Sequence, residues 1–408
     1  MKQPSAAVVR LQSRLLRTMD RIADDLGLFH YPLRADVLIE LACRQEKLDD
    51  FGDWSFIEPL TVLVQAYENE AQLSTYGRIG VRWDMVRFLV NLLRLRAEEQ
   101  QHPAILAEEI TQPIFITGLP RSGTTFLHNL LAEDPANLVP RAWQTIFPYP
   151  RRGAADRRAE LVARQFAFFV RLAPELPSLH PLDAQGAQEC IEITGHVIRS
   201  LRFDTTHYVP SYASWLDQNG HLEAYRFHKR FLRHLQHQKA RRGLWVLKSP
   251  DHIFALEALR EVYPDARFIF VHREPLEVLS STARLTEILR APFTRTVNRG
   301  QIGEQVSTRW EWGAARLIEE VERDAGQSRI FNVRYRDLIA EPLAWTAEIY
   351  RHFAIPFSDD AKARMLALVT KHPDGRYGRN HYRLEDYGLD PQTERRRFDA
   401  YRDYFRLS

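Results

Sequence analysis

An uncharged five-residue run, Pro113-Ile114-Phe115-Ile116-Thr117, leads directly into Gly118-Leu119-Pro120-Arg121-Ser122-Gly123-Thr124-Thr125 and then into a helical pattern from Phe126 through Leu131. An apolar strand feeding a glycine-containing loop and then a helix leaves a chain few folds to choose from. Glycine lets the backbone curl so that successive N–H groups, reinforced by the positive end of the following helix, face an anion. Gly118 and Gly123 keep the P-loop spacing, yet Thr124 stands where an ATPase or kinase carries its lysine. A nucleoside triphosphate site also needs an acidic residue for magnesium at the end of a neighbouring strand. The run Arg267 to Val271 ends instead in His272-Arg273. These residues suit a phosphate ester gripped by arginine and hydroxyls, with no metal.

Three further apolar runs, Leu244 to Leu247, Arg267 to Val271 and Arg329 to Val333, each lead through a short polar loop toward a helical pattern. Continuous apolar strands alternating with helices predict an α/β fold, here a P-loop-like parallel sheet flanked by helices on both faces. Upstream, Val8, Leu11, Leu15, Met19, Ile22 and Leu26 recur every three or four residues and Gly27 follows as a stop, which predicts an amphipathic helix. The same spacing returns over Val37 to Leu48, Leu60 to Leu73 and Val81 to Leu95. The expected division is a helical N-terminal subdomain, residues 1–110, and an α/β domain, 111–408, with a long helical, aromatic-rich insertion at 138–243.

Charge narrows the partners. With 56 Lys and Arg against 53 Asp and Glu, the 408-residue chain carries a net charge of only +3 and is not built to coat a polyanion. The basic stretch Tyr225 to Arg242 contains no acidic residue and reads as a solvated helix face, so no nucleic-acid partner is expected; contact with an anionic membrane is the other reading of such a stretch. The longest segment free of Asp, Glu, Lys and Arg is Thr205 to Leu216, 12 residues. A spanning helix needs roughly 20, so no transmembrane segment is expected. Met1 to Leu16 does not build the apolar core of a secretory signal, and Cys43 and Cys190 make neither a disulfide framework nor a zinc site. Together these point to a reducing, cytoplasmic setting. Nothing in the sequence sets the oligomeric state.

The segment Pro120 to Thr125 resembles the 5′-phosphosulfate loop of sulfotransferases that use 3′-phosphoadenosine 5′-phosphosulfate (PAPS), in the arginine form also seen in tyrosylprotein sulfotransferases. Val271-His272-Arg273-Glu274-Pro275, with Ser281 eight residues after Arg273, is similar to that family's 3′-phosphate motif. A strand-end arginine and a hydroxyl two helical turns later can meet at one anion in the crevice of an open α/β sheet. Trp245 to Pro250 resembles the strand and Lys-x-Pro segment that brings a lysine near the leaving oxygen, and Tyr335-Arg336-Asp337-Leu338 resembles the Tyr-Glu-Asp-Leu element, with Arg336 in place of the glutamate. The likeness spans residues 113–390; the helical N-terminus and Tyr382 to Leu389 resemble a bacterial-type branch. It implies PAPS as co-substrate, held by Arg121, Ser122, Gly123, Thr124, Thr125, Arg273, Ser281 and Tyr335. The basic loop Asp374 to Arg379 is a looser match that adds Arg376 and Arg379.

Sulfuryl transfer to a hydroxyl is an in-line displacement that leaves negative charge on the departing phosphate. Cations aimed at that oxygen lower the barrier, and Arg121 and Lys248 are the candidates. The acceptor must lose a proton to a nearby base. Where the tyrosylprotein branch has its glutamate this chain has Arg141-Ala142-Trp143-Gln144, and Gln144 cannot take a proton. Glu189 and Glu192, three apart on one helical face in a segment that resembles an acidic element of the bacterial branch, are the first and second choices. His252, four residues after Lys248, is the rival, while His196, His207 and His272 read as polar fillers or secondary contacts. Aromatics of the insertion such as Trp143, Phe166 and Tyr208 suit a small or lipid-like hydroxylated acceptor better than a sugar polymer. The competing functions are a non-catalytic 3′,5′-bisphosphate-binding protein and, disfavoured by the missing lysine, a P-loop NTPase or kinase.

Overall fold

A computed structural model describes residues 6–28, 31–151, 153–239, 242–371 and 382–407. Five strands, β1 (Ile114–Thr117), β2 (Asn137–Leu138), β3 (Leu244–Lys248), β4 (Arg267–His272) and β5 (Ile330–Arg334), form one sheet in the order β2-β3-β1-β4-β5, with every pair parallel. The four expected strands are present. β2, only two residues long, has no periodicity to betray it.

The apolar runs are continuous because both faces are covered, and the side-chain period of two sorts them. Ile114, Ile116, Val246, Ile269 and Val271 pack with Leu127, Leu130 and Tyr350 on one face. Phe115, Trp245, Leu247, Phe268 and Phe270 point to the other and share a core with Phe203, Phe227 and Phe231 of the insertion and Phe88, Leu89 and Leu92 of the N-terminal helices. The helix Thr75–Gln101 is capped by Ser74, whose Oγ accepts the Gly77 N–H at 3.1 Å, and from Arg87 to Leu95 it buries side chains all round.

Two sequence expectations resolve differently in three dimensions. In the basic stretch two cations turn to internal partners, Arg230 pairing with Glu99 at 2.5 Å and Lys229 Nζ donating to the Val262 carbonyl at 2.8 Å, while Arg226 stays exposed as a solvated face requires. The amphipathic first helix, Ala6–Asp25, is present, but Leu15, Met19, Ile22 and the following Leu26 face outward. Among the described residues no helix is long and apolar enough to cross a membrane.

β1 lies between strands whose connections run to opposite sides of the sheet, so a crevice opens at the carboxyl ends of β1 and β4. Lys248 is level with Ile116, and Thr117 with Phe270. The Thr117 hydroxyl donates to the Ser249 carbonyl at 2.9 Å, tying the loop after β3 to the loop after β1.

Candidate active site

The loop after β1 is shaped by close approach. A Cβ on Gly118, whose φ is +147°, would lie 2.2 Å from the Val271 carbonyl oxygen, and one on Gly123, φ +93°, would lie 2.5 Å from the Tyr335 ring. Only glycine lets the backbone pass at both points. Arg121 itself sits at φ +62°, a left-handed conformation unusual for a residue with a side chain, which turns the loop between the two glycines. The helix Thr124–Ala132 then starts with its N-terminus at the loop. Ser122 is fully buried, and its Oγ has no hydrogen-bond partner among the described residues.

The arginine motifs converge on this loop. Arg121 Nε donates to Ser281 Oγ at 3.1 Å and Nη1 to the Leu179 carbonyl at 2.6 Å. Arg273 Nη1 donates to the Arg121 carbonyl at 2.7 Å, its guanidinium lies 4.4 Å from the centre of the Tyr335 ring, and Glu277 Oε2 accepts from its Nε at 2.9 Å. Arg121, Arg273, Ser281 and Tyr335 therefore meet although more than two hundred residues separate the first from the last. Arg376 and Arg379 lie outside the described residues.

Lys248 ends β3 on the other side of the loop. Its Nζ donates to Thr125 Oγ1 at 2.9 Å and pairs with the Glu189 carboxylate, with only 2 % of the lysine side chain exposed. Arg121 and Lys248, expected at one leaving oxygen, are thus held by different partners. Burial works against the Glu189 carboxylate, but Lys248 and His180 outweigh it and hold its pKa below the usual carboxylate range.

The other two candidate bases are tied elsewhere. Glu192 also lines the cavity that holds Glu189, but it is paired with Arg87 at 2.7 Å and Arg202 at 3.0 Å, and the same two arginines grip Asp84, so it belongs to a buried ionic cluster. His252 is fully buried against the central strand, with Nδ1 2.6 Å from the Tyr225 hydroxyl and its ring edge-on to Phe115. Burial drives its pKa well below the ordinary value, which opposes the imidazolium a histidine base would form. His272 is a buried bridge between Tyr401 and Asn332, and His196 between Asn91 and the Glu192 carbonyl.

One cavity of about 1050 Å³ joins these parts. Arg121, Thr124, Thr125, Glu189, Lys248, Arg273, Ser281 and Tyr335 line it, and one stretch of wall is apolar, formed by Phe169, Leu176, Leu179, Leu182, Leu285 and Leu289. Among the titratable lining side chains that carried no motif in the sequence are His180 and Asp251. Asp251 Oδ2 is buried without a hydrogen-bond partner among the described residues, and burial together with the neighbouring Glu189 carboxylate pushes Asp251 up to about 7. The stability this group contributes is complete below its ordinary carboxyl pKa, about 4, and is lost as pH rises through 7. Asp251→Asn, neutral throughout, should therefore melt at a higher temperature than the parent in mildly alkaline buffer and alongside it in acid. Melting curves that coincide in alkaline buffer would refute this.

A family model described as the sulfotransferase family matches residues 113–359. The chain belongs to the sulfotransferase family. It is 27 % identical over 286 residues to the omega-hydroxy-beta-dihydromenaquinone-9 sulfotransferase Stf3 of Mycobacterium tuberculosis (strain CDC 1551 / Oshkosh), covering 67 % of this chain and 70 % of that protein. The crystal structure of sulfotransferase STF1 from Mycobacterium tuberculosis H37Rv matches at a TM-score of 0.76 with 33 % identity, over 90 % of this chain and 99 % of that one. Sulfotransferase STF9 from Mycobacterium avium matches at 0.83 with 28 % identity, over 92 % and 97 %. Coverage that wide takes in most of the N-terminal helices as well as the sheet. The protein is thus a transferase enzyme with the P-loop-like sulfotransferase fold, and its cavity is where the sulfotransferase chemistry has to be sought.

Proposed function

We propose that this sulfotransferase moves the sulfuryl group of PAPS to a hydroxyl of a lipid-like acceptor, with Glu189 as general base and Lys248 at the leaving phosphate. The observation that carries the reading is the Lys248 ammonium, which bridges Thr125 of the anion loop and the Glu189 carboxylate at the wall of one cavity. A bisphosphorylated donor fits the residues present: the Ser122 hydroxyl is buried and has no partner among the described residues, the loop is curled by two glycines, and two arginines with Ser281 gather beside it. When bound, the donor supplies an activated sulfur whose bond to the phosphate oxygen breaks as the bond to the acceptor oxygen forms. Thr124, Thr125 and the loop amides hold the 5′ end, and Arg273 with Ser281 and Arg121 the 3′-phosphate. Tyr335, stacked under Arg273, keeps that guanidinium in its plane. Glu189 takes the acceptor proton, and Lys248 neutralises the charge that develops on the leaving oxygen. The apolar wall from Phe169 to Leu289 supports a lipid-like acceptor, and the named activity of the Stf3 relative, on a hydroxylated menaquinone derivative, supports it further.

The test is sulfuryl transfer from labelled PAPS to an omega-hydroxylated prenyl quinol, with an oligosaccharide as the contrasting acceptor. Product on the quinol supports the reading. Tight binding of 3′,5′-bisphosphoadenosine with no transfer to either acceptor would overturn it in favour of a binding protein. Within that experiment Arg273→Ala should weaken bisphosphate binding by about ten- to a hundredfold, the usual worth of a charge-assisted hydrogen bond. A donor lacking the 3′-phosphate that serves as well as PAPS would remove Arg273 and Ser281 from that role.

A further inference from the structure

The helix Ala6–Asp25 sits on the protein by its polar edge. Ser13 is 5 % exposed, Asp20 Oδ1 accepts the Tyr76 N–H at 2.7 Å, and Asp24 pairs with Arg295 at 2.6 Å. Leu15, Met19, Ile22 and Leu26 are 60, 52, 54 and 67 % exposed. Their spacing of four, three and four residues puts them in one stripe. Arg14, Arg17 and Arg21 are also exposed and flank the stripe on one side, beyond the exposed Thr18 and Asp25, while Asp20 and Asp24 are engaged inward. A helix whose hydrogen-bonding groups anchor it and whose apolar side faces out lacks the arrangement water would select.

The surroundings continue the pattern. The helix packs on Thr75–Gln101, which exposes Ile79 and Trp83, and on Arg158–Leu172, which exposes Phe168. Phe169, the next residue in that second helix, is on the apolar wall of the cavity. An apolar stripe edged by arginines complements an anionic lipid surface: the side chains enter the acyl boundary and the guanidinium groups meet phosphate head groups. A second copy of the chain would instead bring the same cationic edge into the interface.

We propose that the outward face of the first helix, Leu15, Met19, Ile22 and Leu26 with Arg14, Arg17 and Arg21, docks this protein on the surface of an anionic phospholipid bilayer. Docking would hold the cavity wall at Phe169 close to a lipid phase. The docking itself does not depend on the acceptor assignment, and its test reads binding rather than transfer, so either can fail without the other.

The experiment is co-sedimentation of the full-length protein with phosphatidylglycerol-containing vesicles and with pure phosphatidylcholine vesicles. The parent protein should pellet with the first, remain largely in solution with the second, and release as salt is raised. The double variant Met19→Glu/Ile22→Glu should bind the anionic vesicles at least about tenfold more weakly. Both positions are more than half exposed, so its melting temperature should be unchanged. The triple variant Arg14→Gln/Arg17→Gln/Arg21→Gln should lose the preference for phosphatidylglycerol. Parent protein that stays in solution with anionic vesicles would overturn the proposal, as would undiminished binding of the double variant. So would a dimer in sedimentation equilibrium that the double variant abolishes, since that result assigns the face to a second copy.

Discussion

Replacing Lys248 by methionine is expected to slow sulfuryl transfer by about a thousandfold, the scale of removing a preorganised charge from a developing oxyanion. The lysine is at the carboxyl end of β3, is 2 % exposed, and is aimed by Thr125 and Glu189 rather than by solvent. Little reorganisation is left for the reaction to perform, which is why one ammonium carries so much of the barrier. The variant also leaves the Glu189 carboxylate, whose side chain is 19 % exposed, without its cation; breaking a fully buried pair costs about 3–5 kcal/mol, so the loss of stability should be no more than that. Activity and folding must therefore be separated. The double variant Lys248→Met/Glu189→Gln removes both charges together, so its melting temperature should recover most of the single variant's loss while transfer stays abolished. Recovery of transfer in the double variant would show that the single change acted only through folding.

Glu189→Gln should lower transfer by about a hundred- to ten-thousandfold, the range for losing a positioned general base. Its affinity for 3′,5′-bisphosphoadenosine should stay near the parent's, because the arginine and serine contacts lie on the other side of the loop. The parent's pH profile makes a second check. Lys248 and His180, outweighing burial, keep the Glu189 pKa below the ordinary carboxyl value of about 4.3, so the base is ionised at every pH from about 5 upward and contributes no break there. Any break near 7 belongs to Asp251, and it should vanish in Asp251→Asn while persisting in Arg273→Ala. If Glu189→Gln kept most of its transfer rate, the base would have to be sought first at Asp251 or His180, which also line the wall and interact with Glu189.

How far each feature could be read in advance follows from its physics. Phe115, Trp245 and Phe268 are apolar because a two-sided parallel sheet demands it, so those strands are visible as runs. Asn137–Leu138 is too short to show any period. Gly118 and Gly123 announce the loop because no other residue tolerates the close approach of Val271 and Tyr335. Glu189 and Glu192, by contrast, are equivalent by spacing. What separates them is Lys248 on one side and Arg87 with Arg202 on the other, all from distant segments. His252 looked near Lys248 along the chain, yet a 3-10 turn over Pro250–Ala255 carries it under Phe115 and away from the cavity lining.

The first helix draws the line most clearly. Periodicity in Leu15, Met19, Ile22 and Leu26 establishes that a helix forms and that one of its sides is apolar, since both follow from backbone geometry within a few turns. Which side meets the protein was decided by Asp20 on the Tyr76 amide and Asp24 on Arg295, contacts that link positions up to 271 residues apart. By itself the sequence determined the local elements, the anion loop and the motif residues, because each answers to short-range sterics and burial. Only the tertiary structure decided which charges neutralise one another and which face is left to the surroundings, because Coulomb partners and packing neighbours are set by chain segments that sequence distance does not measure.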